Sequence, residues 1–138
     1  MILRSCIENF IKTHSFKGRQ KSFTFNDEGL QQYINWAFCN DLIVLCSNGK
    51  EITGIGIVYP ISKIPSKILD LLPADNIDFK ENICIMDLIA NDKNTRQQLT
   101  KEFMKKHPNW RSLNKWAIRN GSVVELNNKY IELVGGTI

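Results

Sequence analysis

The 138-residue sequence contains no apolar run long enough to span a bilayer, which argues against a transmembrane helix. Its opening stretch, MILRSCIENFIKTHSF, has Arg4, Glu8 and Asn9 interrupting the apolar positions and lacks a small-residue cleavage site, so no signal peptide is expected. The four cysteines, Cys6, Cys39, Cys46 and Cys84, form no CxxC pair, and no histidine cluster lies near them; no metal centre is expected. All four sit among apolar residues, which predicts buried, reduced thiols and, without a secretion signal, a cytoplasmic setting. Repeats, low-complexity tracts and linkers are missing, leaving one domain over residues 1–138. With 43% hydrophobic and 23% charged residues the chain is neither disordered nor membranous in composition. Acids are scarce in one place: from Lys93 to Arg119 eight Lys or Arg face a single acid, Glu102.

What is present falls into regular elements. Ile2, Leu3, Cys6, Ile7, Phe10 and Ile11 recur at helical spacing over residues 2–13, and SFKGRQKSFTF is a basic connection. NDEGLQQYINWAFC predicts a second helix, capped by Asn26 or Asp27, with Leu30, Tyr33, Ile34 and Ala37 on one face. DLIVLC and EITGIGIVY are strand-like and joined by SNGK, a strong hairpin signal; Gly54 and Gly56 imply a bulge or a close approach. A short helix is predicted over Ser66–Leu72, a strand over Ile83–Ala90, and a helix over Asn94–Lys106 that Pro108 ends. In that helix Leu99, Phe103 and Gln98 are assigned inward, and Lys101, Lys105 and Lys106 outward. LNKWAIRN alternates as a strand, and SVVEL with KYIELV is read as a final hairpin. The strand–helix–strand unit has the length of a right-handed crossover, so its two strands should be parallel within a mixed α/β sheet.

The stretch ICIMDLIA poses a chemical question, because Asp87 lies inside an apolar strand. A buried carboxylate is costly unless it is paired or does chemistry. Asp87 either pairs with a Lys, Arg or Tyr of a neighbouring strand, or it serves as a general base. Lys93, Asn94, Thr95 and Arg96 open the following helix, where free N–H groups suit a phosphate; the competing reading is a solvated turn capped by Thr or Asn. His14 is either an ordinary helix-end residue or a catalytic group. Trp110 and Trp116 interleave with the cations, as on a nucleic-acid surface, although a solvated helix face explains the same charges and Trp36 and Trp116 suit a core.

The element order, with ICIMDLIA, FMKKHP, WAIRNG and VVELNNKYIELVGGTI, resembles the acyl-CoA N-acyltransferase (GNAT-like) superfamily, and within it the toxin-activating lysine acyltransferases. The resemblance covers residues 41–138 by element order and 83–136 by residue likeness. It implies a GNAT-like α/β fold and transfer of an acyl group from acetyl-CoA or another acyl-CoA to an amine such as a protein lysine. It also implies Asp87 and His14 as catalytic pair, with Ile89, Ala90 and Asn91 holding carbonyl and pantetheine and Lys93 to Arg96 meeting the diphosphate. The glycine-rich pyrophosphate loop is missing: the chain has NDKNTRQQL instead. Small phage-type proteins similar to this superfamily keep the fold in virion or regulatory roles. The alternative expectation is therefore a non-catalytic phage or mobile-element component, facing nucleic acid or a protein through Lys101, Lys105 and Lys106.

Overall fold

In the computed structural model, residues 6, 7, 9, 10, 27–90, 92–119 and 121–136 are described, with backbone alone at 27–30 and 87–90. Most of the expected first helix, the basic connection after it, the Asn26 or Asp27 cap and the Leu30 side chain lie outside them; Cys6, Ile7, Asn9 and Phe10 are helical.

Helix α1 (Asp27–Cys39) buries Ile34 and Ala37, one helical turn apart, with Tyr33 and Trp36 half-buried beside them. Its end closes on itself: Leu42 N–H donates to Ala37 O at 2.9 Å and Asp41 N–H to Phe38 O at 3.2 Å. This closure needs a left-handed residue, and Asp41 supplies it at φ +56. Strands β1 (Ile43–Ser47) and β2 (Ile52–Ile61) form the expected hairpin. Asn48 turns the chain by accepting from Lys50 N and Glu51 N, both at 3.0 Å, while Gly49 takes φ +93.

After β2 a 3-10 turn (Ile68–Leu71) replaces the longer helix expected over Ser66–Leu72. Asp70 folds the segment around its carboxylate, accepting from Ser66 N at 2.9 Å, Ser66 Oγ at 3.0 Å and Lys67 N at 3.2 Å, with Lys63 Nζ at 3.4 Å. These bonds, the Ser66 amide first, lower its pKa from 3.8 to about 2. A depressed carboxyl pKa stabilises the fold above the unfolded value. This contribution is expected to disappear as pH falls from 3.8 through about 2. In acid titrations followed by circular dichroism, Asp70→Asn should lack this limb.

Strand β3 (Asn82–Ala90) runs antiparallel to β2, helix α2 (Lys93–Lys106) follows, and a 3-10 turn (Trp110–Ser112) leads into β4 (Asn114–Arg119). β4 pairs parallel with β3, as the crossover length requires. Gly121, at φ +76, turns the chain into β5 (Ser122–Glu125), which is antiparallel to β4. The five strands lie in chain order within one mixed sheet.

The final hairpin is not formed. SVVE pairs back on β4, and KYIELV lies in helix α3 (Asn128–Val134). Asn127 caps this helix by accepting from Tyr130 N at 2.8 Å, and Gly135 and Gly136 end it, so asparagines that read as a turn are a helix start. Gly136 has φ +75, and an added Cβ there would overlap the Gln97 carboxamide of α2.

The sheet separates two apolar clusters. One holds Ile34 and Ala37 of α1 with Ile55, Ile57, Tyr59, Cys84 and Met86; the other holds Leu99 and Phe103 of α2 with Val58, Ile83, Ile85, Ala117 and Ile131. Gln98, assigned inward from the sequence, is exposed because Leu99 and Phe103 define the buried stripe. Cys46 and Cys84 are buried, but Cys6 and Cys39 are exposed, so the expectation of four buried thiols fails for half of them. Burial, aided by Glu102, pushes the Cys46 thiol pKa up and keeps it inert. Among the described residues, no helix is long and apolar enough to cross a membrane.

Candidate functional site

The parallel pair at the sheet centre is short. β3 and β4 pair through Asn82, Ile83 and Cys84 against Asn114, Lys115 and Trp116, and among the described residues no pairing continues beyond. Asn82, almost wholly buried, pins this end: its side-chain oxygen accepts from Asn114 Nδ2 at 3.2 Å and from Trp116 Nε1 at 3.4 Å. Asn114 N–H also donates to Glu81 O at 2.7 Å. Past Cys84 and Trp116 both strands run on unpaired with one another, β3 to Ala90 and β4 to Arg119.

Within its free stretch β3 carries a bulge. Ile57 faces Met86 while Ile55 faces Ile89, so Gly56 alone spans the two residues Asp87 and Leu88. The bulge that Gly54 and Gly56 implied within β2 lies at Thr53, the extra residue between the pairs Cys46–Gly54 and Ser47–Ile52, whereas at Gly56 the extra residue is on β3. A bulge bends its strand and re-aims the residues within it. The Asp87 side chain lies outside the described residues, as do those of Ile89 and Ala90, whose backbones pair with Ile55 and Gly54. His14 and Asn91 lie wholly outside them.

Two residues separate β3 from helix α2, which starts on a cap that differs from the one expected. Asp92, rather than Thr or Asn, is the N-cap: its carboxylate accepts from Thr95 N at 2.7 Å. Bonds from the Thr95 amide, the Thr95 hydroxyl and the Asn94 amide lower its pKa. Thr95 is buried and its N–H is committed to this cap; Lys93, Asn94 and Arg96 are exposed around it. The legible signal was an Asp directly before the helical run. Asp92→Ala is expected to lower the urea midpoint, because alanine offers Thr95 N no acceptor.

The basic run does not form one face. Lys115 is 2% exposed, and its ammonium donates to Trp110 O at 2.9 Å, Leu113 O at 2.6 Å and Asn128 Oδ1 at 2.7 Å. Burial lowers its pKa against the opposing pull of Glu125. Lys106 is bound to Asp41 Oδ1 at 2.8 Å and Ile43 O at 3.3 Å, Lys105 lies 3.5 Å from Glu102, and Arg111 meets Glu132 at 2.8 Å. Lys101, Lys93 and Arg96 are exposed and have no ion pair among the described residues. The interleaved tryptophans are not platforms: Trp110 is buried, with the Arg111 guanidinium 4.3 Å from its ring centroid, and Trp116 is half-buried against the core.

A shallow hollow of about 310 Å³ lies between β1 and the later turns of α2, lined by Ile43, Val44, Leu45, Glu102, Lys105 and Lys106. It is formed by other elements than the β3–β4 gap. Among the described residues, no group of three or more His, Cys, Asp or Glu is placed to hold a metal. The elements that the sequence assigned to the site are thus contiguous: the free stretch of β3, its bulge at 87–88 and the first turn of α2. No family model, no curated protein and no solved structure matches this chain, so the site stands on its own geometry.

Proposed function

We propose that this protein is a small GNAT-like acyltransferase that receives an acyl-CoA in the gap between β3 and β4. The observation that carries the reading is the short parallel pair: two strands clamped at Asn82 and separate beyond Cys84 and Trp116, with a bulge in the longer one just before a helix. Such a gap presents unpaired strand edges to an extended arm bearing amides, which suits pantetheine. In a direct transfer, the Asp87 carboxylate takes the proton of the acceptor amine as its lone pair attacks the thioester carbon. Backbone N–H groups over Ile89–Asn91 hold the developing oxyanion, and CoA leaves as the thiolate. Lys93, Asn94 and Arg96 meet the diphosphate. His14 belongs to the proposal as the partner of Asp87, and a protein lysine is the acceptor class.

Asp92 sets a specific condition on this reading, because its carboxylate holds the amide that a diphosphate would use. Removing that charge should tighten CoA binding in Asp92→Ala, even as the helix loses its cap. Calorimetric titration with acetyl-CoA and longer acyl-CoAs tests the proposal. Micromolar binding supports it, and no heat with any of them rejects it.

The same cap favours the competing reading, a non-catalytic protein on this fold. Its nucleic-acid form through Lys101, Lys105 and Lys106 has weaker support, since Lys105 and Lys106 are already paired. Phosphate-mediated binding would weaken steeply with salt and vanish on charge reversal at those three lysines.

A further inference from the structure

His107 ends α2 and joins three pieces of the fold. Its N–H donates to Phe103 O at 2.9 Å, and its carbonyl accepts from Trp110 N at 2.9 Å, so it links the helix to the 3-10 turn before β4. Its ring fills a slot between Phe79 and Phe103, with centroid distances of 4.6 Å and 5.4 Å. The residue is 7% exposed, and its Nε2 is buried with no hydrogen-bond partner among the described residues. A native fold rarely leaves a buried polar atom unsatisfied, and this one is titratable.

We propose that His107 is an acid-operated latch, holding segment 77–81 against α2 while its imidazole is neutral and releasing that segment when Nε2 takes a proton. An imidazolium in the slot would bring a charge and a second N–H donor to a place where no acceptor among the described residues reaches Nε2, so the ring must leave to be solvated. Phe79 then loses the ring packed on it. Segment 77–81 leads straight into the clamped end of the β3–β4 pair, through Glu81 O and Asn82.

The charged groups around the latch come from each element that forms it. Lys106 precedes the ring on α2, and Asp41 approaches from the α1–β1 turn, bound to Lys106 at 2.8 Å. Asp78 and Lys80 flank Phe79 and pair at 3.1 Å; Glu102 and Lys105, on the preceding turn of α2, pair at 3.5 Å. Burial first and Lys106 second hold the imidazole below its usual 6.5, with Asp41 opposing. A base with a depressed folded pKa leaves the latch closed above 6.5 and opens it progressively as pH falls below that value.

Hydrogen exchange of the full chain between about pH 7.5 and about pH 5, corrected for intrinsic rates, tests the latch. The expected result is about a tenfold rise in exchange over 77–81 and 107–113. In His107→Phe, which fills the same slot without titrating, the rise should vanish. Lys106→Gln removes the adjacent cation and should move the midpoint to higher pH. An equal rise in His107→Phe overturns the latch, as does a Lys106→Gln midpoint that stays or falls. Should the phenylalanine variant fail to fold, the Lys106→Gln midpoint decides.

Discussion

Asp87→Asn is expected to lower acyl transfer by about 10²- to 10⁴-fold while leaving acyl-CoA affinity within about threefold of the parent. Asparagine has nearly the same shape, so the bulge opposite Gly56 and the strand gap should persist. What it lacks is a carboxylate to accept a proton from the amine. The split between lost turnover and kept binding separates a base from a residue that merely holds the strand. If Asp87 were only structural, the substitution would appear instead as a lower urea midpoint with the remaining activity per folded molecule unchanged. Full activity in the variant would reject the assignment outright.

Lys115→Ala should destabilise the fold by about 3–5 kcal/mol, the range for breaking a buried charged group's bonding set while leaving a cavity. The ammonium spends all three N–H donors on acceptors from three places: the start of the 3-10 turn, the residue before β4 and the first residue of α3. Its removal strands the Leu113 carbonyl and the Asn128 side chain together. Lys115→Met keeps most of the stem's packing near Trp110 and should cost less, about 2 kcal/mol, by loss of the hydrogen bonds alone. Urea unfolding of both variants checks the ordering. A cost below about 1 kcal/mol in the alanine variant would mean that the three contacts contribute little net stability.

Particular residues explain which parts of this fold were legible in the sequence. The hairpin around Asn48–Gly49 and the β3–α2–β4 unit follow from local rules, turn chemistry in one case and crossover length in the other, and both formed. KYIELV did not form the expected hairpin strand, because so short an apolar stretch does not settle helix against strand and only the Asn127 cap with the Gly135–Gly136 stop decides between them. Lys115 read as a surface cation, since nothing in a linear sequence announces that three acceptors from separate elements converge on one ammonium. Of the site, Asp87 stood out as an acid in an apolar run, and Asp92 was readable as a cap. The Asn82 clamp was not, because its two donors lie more than thirty residues away along the chain.

The bond between Lys106 and Ile43 O bears on how the molecule behaves among copies of itself. Leu42 O accepts from Val58 N, so alternate residues of β1 turn their backbone groups toward β2, and Ile43 turns its carbonyl outward. Among the described residues β1 is an outer strand, the kind of rim onto which another chain's strand adds. At Ile43 that rim already carries an ammonium group held in place by Asp41. An incoming strand would have to displace the cation to bond Ile43 O. A contact that, from within one molecule, only tethers a helix to a sheet thus also occupies part of the rim that a second copy would meet.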